Sequence, residues 1–483
     1  MAQTRGGGWT SSVVTSLSTR ADAPATRGSA PDGAQDRSGR ELLMLAAGFV
    51  QAFDDWNLAP GAAVPCLATT GPVAQALLLA GAVAGRPLAP IGPRLTAREI
   101  ADCLENVSAT VLVTEPAFRA VADAAAELVG ARVVVIDGSS AAEGDPDRLV
   151  APAPDAVVCI LHTSGTTGRA KPVPVTDAQL GARAALLQNL CDYRPGDVVV
   201  AASPFHHVAG LGMVAVAMAA GSAVVALSRF ATDDWSRIRE LNPTHLALVA
   251  THVELLVAAG AFDLPSVRAI FYGASVLRES TLRRLLDARP DVSLIRWYGQ
   301  TEASPLTWLS PADHARAAAG ESWLFDTVGR ALPGVELRIH EPSVDGVGEI
   351  WARAAHLSSV DEHGWRATGD VGSIGGDGYL RLAGRSGDMI IRGGENVYPI
   401  EVEKVLVGHP GVVDAVVLGV PDEVMGQLIK AFVQPVDPAA PPTPQELRSY
   451  ARERLAGFKV PQAWEFRDRF ERNASGKVVR ARL

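Results

Sequence analysis

Five groups of residues combine hydroxyls, glycines and charges at spacings suited to handling phosphate. The first is Leu161–Thr176 (LHTSGTTGRAKPVPVT), directly behind the apolar run Val157–Ile160. Small residues let backbone N–H groups approach an anion closely, hydroxyls add donors, and Lys171 adds a mobile positive charge. The distance from Gly165 to Lys171 fits a Walker A loop. However, Ala170 replaces its second glycine and Pro172 its magnesium-binding hydroxyl, which excludes the kinase-type reading and leaves a plain polar loop as the alternative. The second group is Trp297–Glu302 (WYGQTE), where Thr301 can bond a phosphate oxygen and Glu302 can hold magnesium, or else serve as a solvated or helix-capping acid. The third is Ala367–Gly372 (ATGDVG), in which Asp370 suits a two-oxygen grip on ribose hydroxyls or an ordinary turn. The fourth, Gly384–Glu403, carries Arg385 and the run Gly393-Gly394-Glu395. The fifth, Arg472–Lys477 (RNASGK), sets a lysine on a glycine-bearing loop near the chain end.

The elements around these groups follow an α/β pattern. Short apolar strands such as Val111–Val113, Val133–Ile136, Val198–Ala201, Leu246–Val249, Ala269–Phe271 and Leu294–Trp297 alternate with helical stretches such as Thr96–Asn106, Thr176–Leu190, Asp233–Leu241 and Arg278–Ala288. Such alternation predicts a large domain over 41–384 of mostly parallel, buried sheets flanked by helices. Thr327–Leu382, rich in glycine and short strands, predicts a β-rich subdomain within it. Residues 385–483 predict a small α+β domain, with helices at Pro399–Val407 and Gln445–Leu455 and strands at Val412–Val420 and Lys430–Val436.

The net charge of −9, with no basic block after the first 40 residues, argues against nucleic acid as a partner. Four cysteines, far apart and without a CxxC, fit reduced thiols in a cytoplasmic protein, with neither disulfide nor zinc. Residues 1–40, rich in Gly, Ser, Thr, Ala, Pro and Arg, predict a flexible tail. A transit peptide fits less well because of Asp22, Asp32 and Asp36. Two apolar stretches, Gly71–Gly85 and Gly210–Ser228, predict a buried core helix and a buried helix–turn–strand split at Gly221-Ser222, so no membrane span is expected.

Taken together, in this order and spacing, the five groups resemble the adenylate-forming superfamily: acyl- and aryl-CoA synthetases, carrier-protein adenylation domains and firefly-type luciferases. The resemblance covers about 41–483. It implies that Thr163, Ser164, Gly165, Thr166, Thr167, Gly168 and Lys171 surround the ATP β- and γ-phosphates. Gly273, Ala274 and Ser275 would line the adenine and acyl pockets, with Tyr298 and Gly299 beside the nucleotide. Thr301 would touch the α-phosphate, Glu302 would bind Mg2+, Asp370 and Arg385 would hold the ribose, and Lys477 would be the catalytic lysine of adenylation. Pro204–Gly210 (PFHHVAG) is similar to the family's histidine gate. That places His207, together with His206, Val208 and Gly210, in the acyl pocket wall, with His207 as its catalytic histidine. Gly393, Gly394 and Glu395 would shape a thiol tunnel for the second step, and the small domain would be mobile about Gly387.

The implied chemistry joins two anions. A carboxylate attacks MgATP to give acyl-AMP and pyrophosphate, and the CoA thiol then displaces AMP. The sequence departs from the family around substrate selection: His206 stands where an aromatic is usual, Ala355–Gly364 is short, and less strand-forming sequence than usual precedes Glu41. The nearest flavour is an aromatic or short-chain acid with CoA. The alternatives are transfer to a carrier-protein phosphopantetheine in trans, activation of nitrite for diazotising an aromatic amine, and a nucleotide-binding module without turnover. Monomer and homodimer both remain open.

Overall fold

The computed structural model describes residues 8–28, 35–136, 143–164, 170–273, 277–472 and 478–483. They form two compact units: one holds residues up to Phe325 with Leu332–Val335 and Arg353–Arg366, and the other holds Asp326–Ala331, Glu336–Ala352 and Ala367–Leu483. The predicted β-rich segment is therefore shared between them, largely with the C-terminal residues, rather than divided by a single cut at 384.

The first unit is built on two mainly parallel sheets. In one, Ser293–Gln300, Ala269–Gly273, His245–Val249, Val198–Ala201, Ala223–Ala226 and Pro24–Gly28 run side by side in parallel, and Ala303–Leu309 adds antiparallel to Ser293–Gln300. In the other, Arg132–Val135, Val111–Thr114, Val64–Leu67, Leu88–Pro90 and Val157–Ser164 are parallel, closed by the antiparallel Ala170–Thr176. Strands such as Val111–Thr114 and Val198–Ala201 are buried at every position, which explains why they read as unbroken apolar runs. The helices Pro72–Val83 and Val208–Ala220 are buried on nearly all sides; the second stops at left-handed Gly221 and returns as Ala223–Ala226. Among the described residues no helix is long and apolar enough to cross a membrane.

The flexible tail expected over 1–40 is corrected wherever those residues are described. Trp9–Thr19 is a helix whose Trp9, Val13 and Leu17 are buried. The Trp9 indole N–H donates to the Ala215 carbonyl at 2.9 Å. Thr10 donates from its backbone and its hydroxyl to buried Asp177, at 2.8 and 2.6 Å. Pro24–Gly28 then enters the sheet beside Ala223–Ala226. The strand-forming sequence that looked scarce before Glu41 thus comes from a segment whose composition hides it.

In the second unit, Glu336–His340, Gly348–Arg353, Arg366–Ile374 and Leu380–Arg385 form a four-stranded sheet. Further along the chain, the long hairpin of Val412–Asp422 and Gly426–Pro435, extended by parallel Ala463–Phe466, carries the helices Pro399–Val407 and Pro444–Arg452 on one apolar core. The first helix opens on Pro399 and the second on a Thr443/Glu446 capping box, so both begin where the sequence supplies a start signal.

Candidate active site

The Lys171 group is a hairpin. Val157–Ser164 pairs with Ala170–Thr176 so that Thr163 faces Lys171, and Lys171 is exposed. Its loop residues Gly165, Thr166, Thr167 and Gly168 lie outside the described residues, as does the Ser164 side chain. The return as a strand departs from a Walker loop, in which the loop opens a helix. Here the next helix, Asp177–Leu190, starts only after Thr176, under a Thr176/Gln179 capping box.

Thr301 and Glu302 form the two-residue tip between Ser293–Gln300 and Ala303–Leu309, since Gln300 pairs with Ala303. Before the tip the register shifts, and Gly299 permits this: a Cβ there would lie 2.5 Å from the Ala303 carbonyl oxygen. Tyr298 is buried, and Gly273, paired with Trp297, lies on the neighbouring strand; Ala274 and Ser275 fall outside the described residues. The Glu302 carboxylate stands 3.4 Å from an Arg366 guanidinium nitrogen. The Glu302 carbonyl accepts from the Ser358 backbone N–H at 2.9 Å, and Arg366 donates to the Ser359 carbonyl at 2.8 Å. Residues 356–359, read from sequence only as a shortened stretch, therefore brace the metal-ligand candidate. Arg366 immediately precedes the ATGD motif, but its part in this brace depends on contacts across the fold that its residue type does not signal.

A cavity brings the hairpin and the tip together. Leu161 and Val175 of the hairpin line it with Thr301, Glu302, Arg183 and His356. Gln179 ties the same region down by donating its side-chain amide to the Leu357 carbonyl at 2.6 Å.

His207 is the N-cap of Val208–Ala220, so Val208 and Gly210 sit on that helix's first turn. The His206 and His207 rings lie 4.2 Å apart. Burial, then the neighbouring His207, then Arg94 push His206 down to about 3, so it is neutral at pH 7. Among the described residues no group of three or more His, Cys, Asp or Glu is arranged to hold a metal ion. A magnesium ion that keeps most of its ligands as water and phosphate oxygen needs only one such carboxylate, and Glu302 fits that donor set.

In the second unit, Asp370 and Arg385 occupy paired positions on adjacent antiparallel strands, with Arg385 Nε 3.0 Å from Asp370 Oδ1. Gly393 and Gly394, both with positive φ (59° and 87°), form the two-residue turn between Ile390–Arg392 and Glu395–Val397, and Glu395 is exposed. Gly387 lies in the short 3-10 turn Ser386–Asp388, and a Cβ added there would meet nothing within 4 Å. Lys477 lies outside the described residues; the residues flanking that stretch, Arg472 and Val478, pair as an isolated bridge.

Residues 15–360 match the family described as "AMP-binding enzyme", and 401–477 match "AMP-binding enzyme C-terminal domain". Among curated proteins, the chain is 33% identical to the fatty acid–[acyl-carrier-protein] ligase ScoC of Streptomyces coeruleorubidus, over 88% of this chain and 87% of that one. It is 31% identical to a feruloyl-CoA synthase of an Amycolatopsis species, over 92% of each. Among solved structures, the amide bond synthetase McbA of Marinactinospora thermotolerans superposes with a TM-score of 0.85 at 27% identity, covering 99% of both chains.

Proposed function

Since this chain belongs to the family of AMP-binding enzymes, we propose that it activates a carboxylic acid with MgATP, forming acyl-AMP and pyrophosphate, and then transfers the acyl group to the thiol of CoA. The observation that carries this reading is the cavity joining the Lys171 hairpin to the Thr301–Glu302 tip within one unit. The cavity wall supplies the Thr301 hydroxyl and the Glu302 carboxylate, and the strand that contributes Val175 to it also bears Lys171.

In this proposal the carboxylate oxygen of the acid attacks the α-phosphorus, the bond to the β-phosphate breaks, and pyrophosphate leaves with the electron pair. Thr163, Ser164, Gly165, Thr166, Thr167, Gly168 and Lys171 steady the β- and γ-phosphates. Thr301 donates to the α-phosphate, and Lys477 neutralises the charge that builds there. Magnesium, held by Glu302, would supply further charge neutralisation on the phosphates. Gly273, Ala274, Ser275, Tyr298 and Gly299 bound the adenine side. Asp370 accepts from the ribose hydroxyls, positioned by Arg385. His206, His207, Val208 and Gly210 wall the acyl group. Gly393, Gly394 and Glu395 guide the thiol, which attacks the acyl carbon and releases AMP.

A carrier-protein phosphopantetheine as the acceptor is the second reading, favoured by the 33% identity to an acyl-carrier-protein ligase. One assay separates the two: pyrophosphate release over a panel of acids and nitrite, with CoA, with a carrier protein, or with neither. Acid-dependent release ending in a CoA thioester supports the first reading. An adenylate that persists with CoA and is discharged by the carrier replaces it with the second. Release only with nitrite and an aryl amine, or none with any acid, overturns both.

A further inference from the structure

Arg183 sits on the helix Asp177–Leu190 and is only 7% exposed. Among the described residues its one hydrogen bond is a guanidinium N–H donated to the Val208 carbonyl at 3.3 Å, and its Nε–H has no acceptor. No carboxylate pairs with it there. Glu302, on the same cavity wall, is engaged by Arg366. The Cys159 thiol beside Arg183 is pushed up to about 12 by burial and is uncharged at neutral pH. Burial pulls Arg183 itself down to about 10, which still leaves it cationic at pH 7. A buried cation without a counter-charge is unfavourable unless an anion meets it.

The chain makes room for this cation deliberately. Gly212, within the helix Val208–Ala220, faces it so closely that a Cβ would come within 2.4 Å of Arg183 Nη2. The cavity in front, about 20 Å³ in volume, suits an ion of few atoms and is too small for an aromatic ring. Its walls supply the Thr301 and Ser358 hydroxyls as further polar groups.

We propose that Arg183 and this cavity form a binding site for one small monovalent oxyanion of formate, acetate or nitrite size. The site shares Val208 with the wall assigned above to the acyl group but is centred on Arg183 and lined by neither His206 nor His207, and anion binding there requires no adenylate chemistry. An anion seated there adjoins Thr301 and Glu302, so its occupancy can bear on how that tip meets phosphate.

Calorimetric titration of the full-length protein without nucleotide, at constant ionic strength, tests the proposal with formate, acetate, nitrite and benzoate. We expect saturable one-to-one binding of at least one of the three small anions and none of benzoate at that site. Arg183→Met should weaken binding by at least about tenfold, the loss of a charge-assisted contact, while Arg183→Lys retains part of it. His207→Ala should leave it unchanged. Should Arg183→Met fail to fold, Gly212→Ala decides: it keeps the charge and displaces the guanidinium, so about tenfold weaker binding supports the site. Absence of binding by all three small anions, benzoate binding in competition with them, an unchanged Kd in the Arg183 or Gly212 variants, or loss on His207→Ala would each overturn it. Because ATP is absent throughout, failure here leaves the pyrophosphate assay above untouched.

Discussion

Glu302 already has a cation before any metal arrives. The Arg366 guanidinium, itself anchored on the Ser358 and Ser359 carbonyls, competes with magnesium for the same carboxylate. Arg366→Met should therefore lower the Mg2+ concentration giving half-maximal pyrophosphate release by about fivefold, corresponding to the ~1 kcal/mol of a partly screened pair. An unchanged or raised requirement, read from a magnesium titration at saturating ATP, would show that Arg366 assists the metal instead. A second residue-scale expectation concerns His206, whose folded-state value of about 3 lies far below the ~6.5 of an unfolded histidine. The unfolded chain binds the proton more readily between those values, so stability present above pH 6.5 is lost as pH falls. The loss amounts to roughly 1.4 kcal/mol per pH unit once well below 6.5. His206→Phe should flatten that part of the profile, measured as urea midpoints at pH 7 and pH 5.5; an equal slope in both proteins removes His206 as a contributor. Neither Arg366 nor the depth of His206 could be read from residue types alone, because each depends on contacts made across the fold. The charged and hydroxyl-bearing members of the motifs stand out in the sequence itself, because their types are rare at such spacings.

At the scale of elements, what was legible tracks how strongly local chemistry fixes each boundary. Pro399–Val407 runs as the sequence predicts, and Asp177–Leu190 differs only in leaving Thr176 as its cap. Gln445–Leu455 shifts to Pro444–Arg452, since proline suits the first turn and the capping box fixes the start. The hairpin return Ala170–Thr176 was hidden because two prolines, Pro172 and Pro174, sit in a strand; they are tolerated at this sheet edge. The largest miss was Trp9–Thr19. Its signals were Trp9, Val13 and Leu17 at helical spacing, diluted by the Ser and Thr residues among them, of which Thr10 is itself buried. Thr10→Val should cost about 1–3 kcal/mol, because it removes one of two donors to buried Asp177. Trp9→Ala should cost about 3–5 kcal/mol. Thermal melts within 1 °C of wild type for both variants would mean that this helix adds nothing to the fold.

For the whole molecule, the proposed two-step reaction asks Lys477 to serve the first step and Gly393 with Gly394 the second. We expect Gly387 to be the pivot that lets one small domain serve both. Its surroundings admit a side chain without collision, so a substitution there tests backbone freedom rather than packing. Gly387→Pro should slow thioester formation at least about tenfold more than acid-dependent pyrophosphate release, each measured in single turnover. Equal losses in the two half-reactions would remove Gly387 from that role.

The strand Pro24–Gly28 has a partner, Ala223–Ala226, that is synthesised roughly 200 residues later. At ribosomal speeds of about 5–20 residues per second, the nascent amino terminus waits some 10–40 s for the neighbour it will pair with. During that interval Trp9 lacks the Ala215 carbonyl that its indole N–H meets, and the helix Trp9–Thr19 lacks the cover of Val208–Ala220, with the early helices Gly39–Asp55 and Pro72–Val83 beside it. The strand Pro24–Gly28 thus stays without its sheet partner while translation proceeds, and slowing elongation between codons 29 and 222 should lengthen that interval in direct proportion.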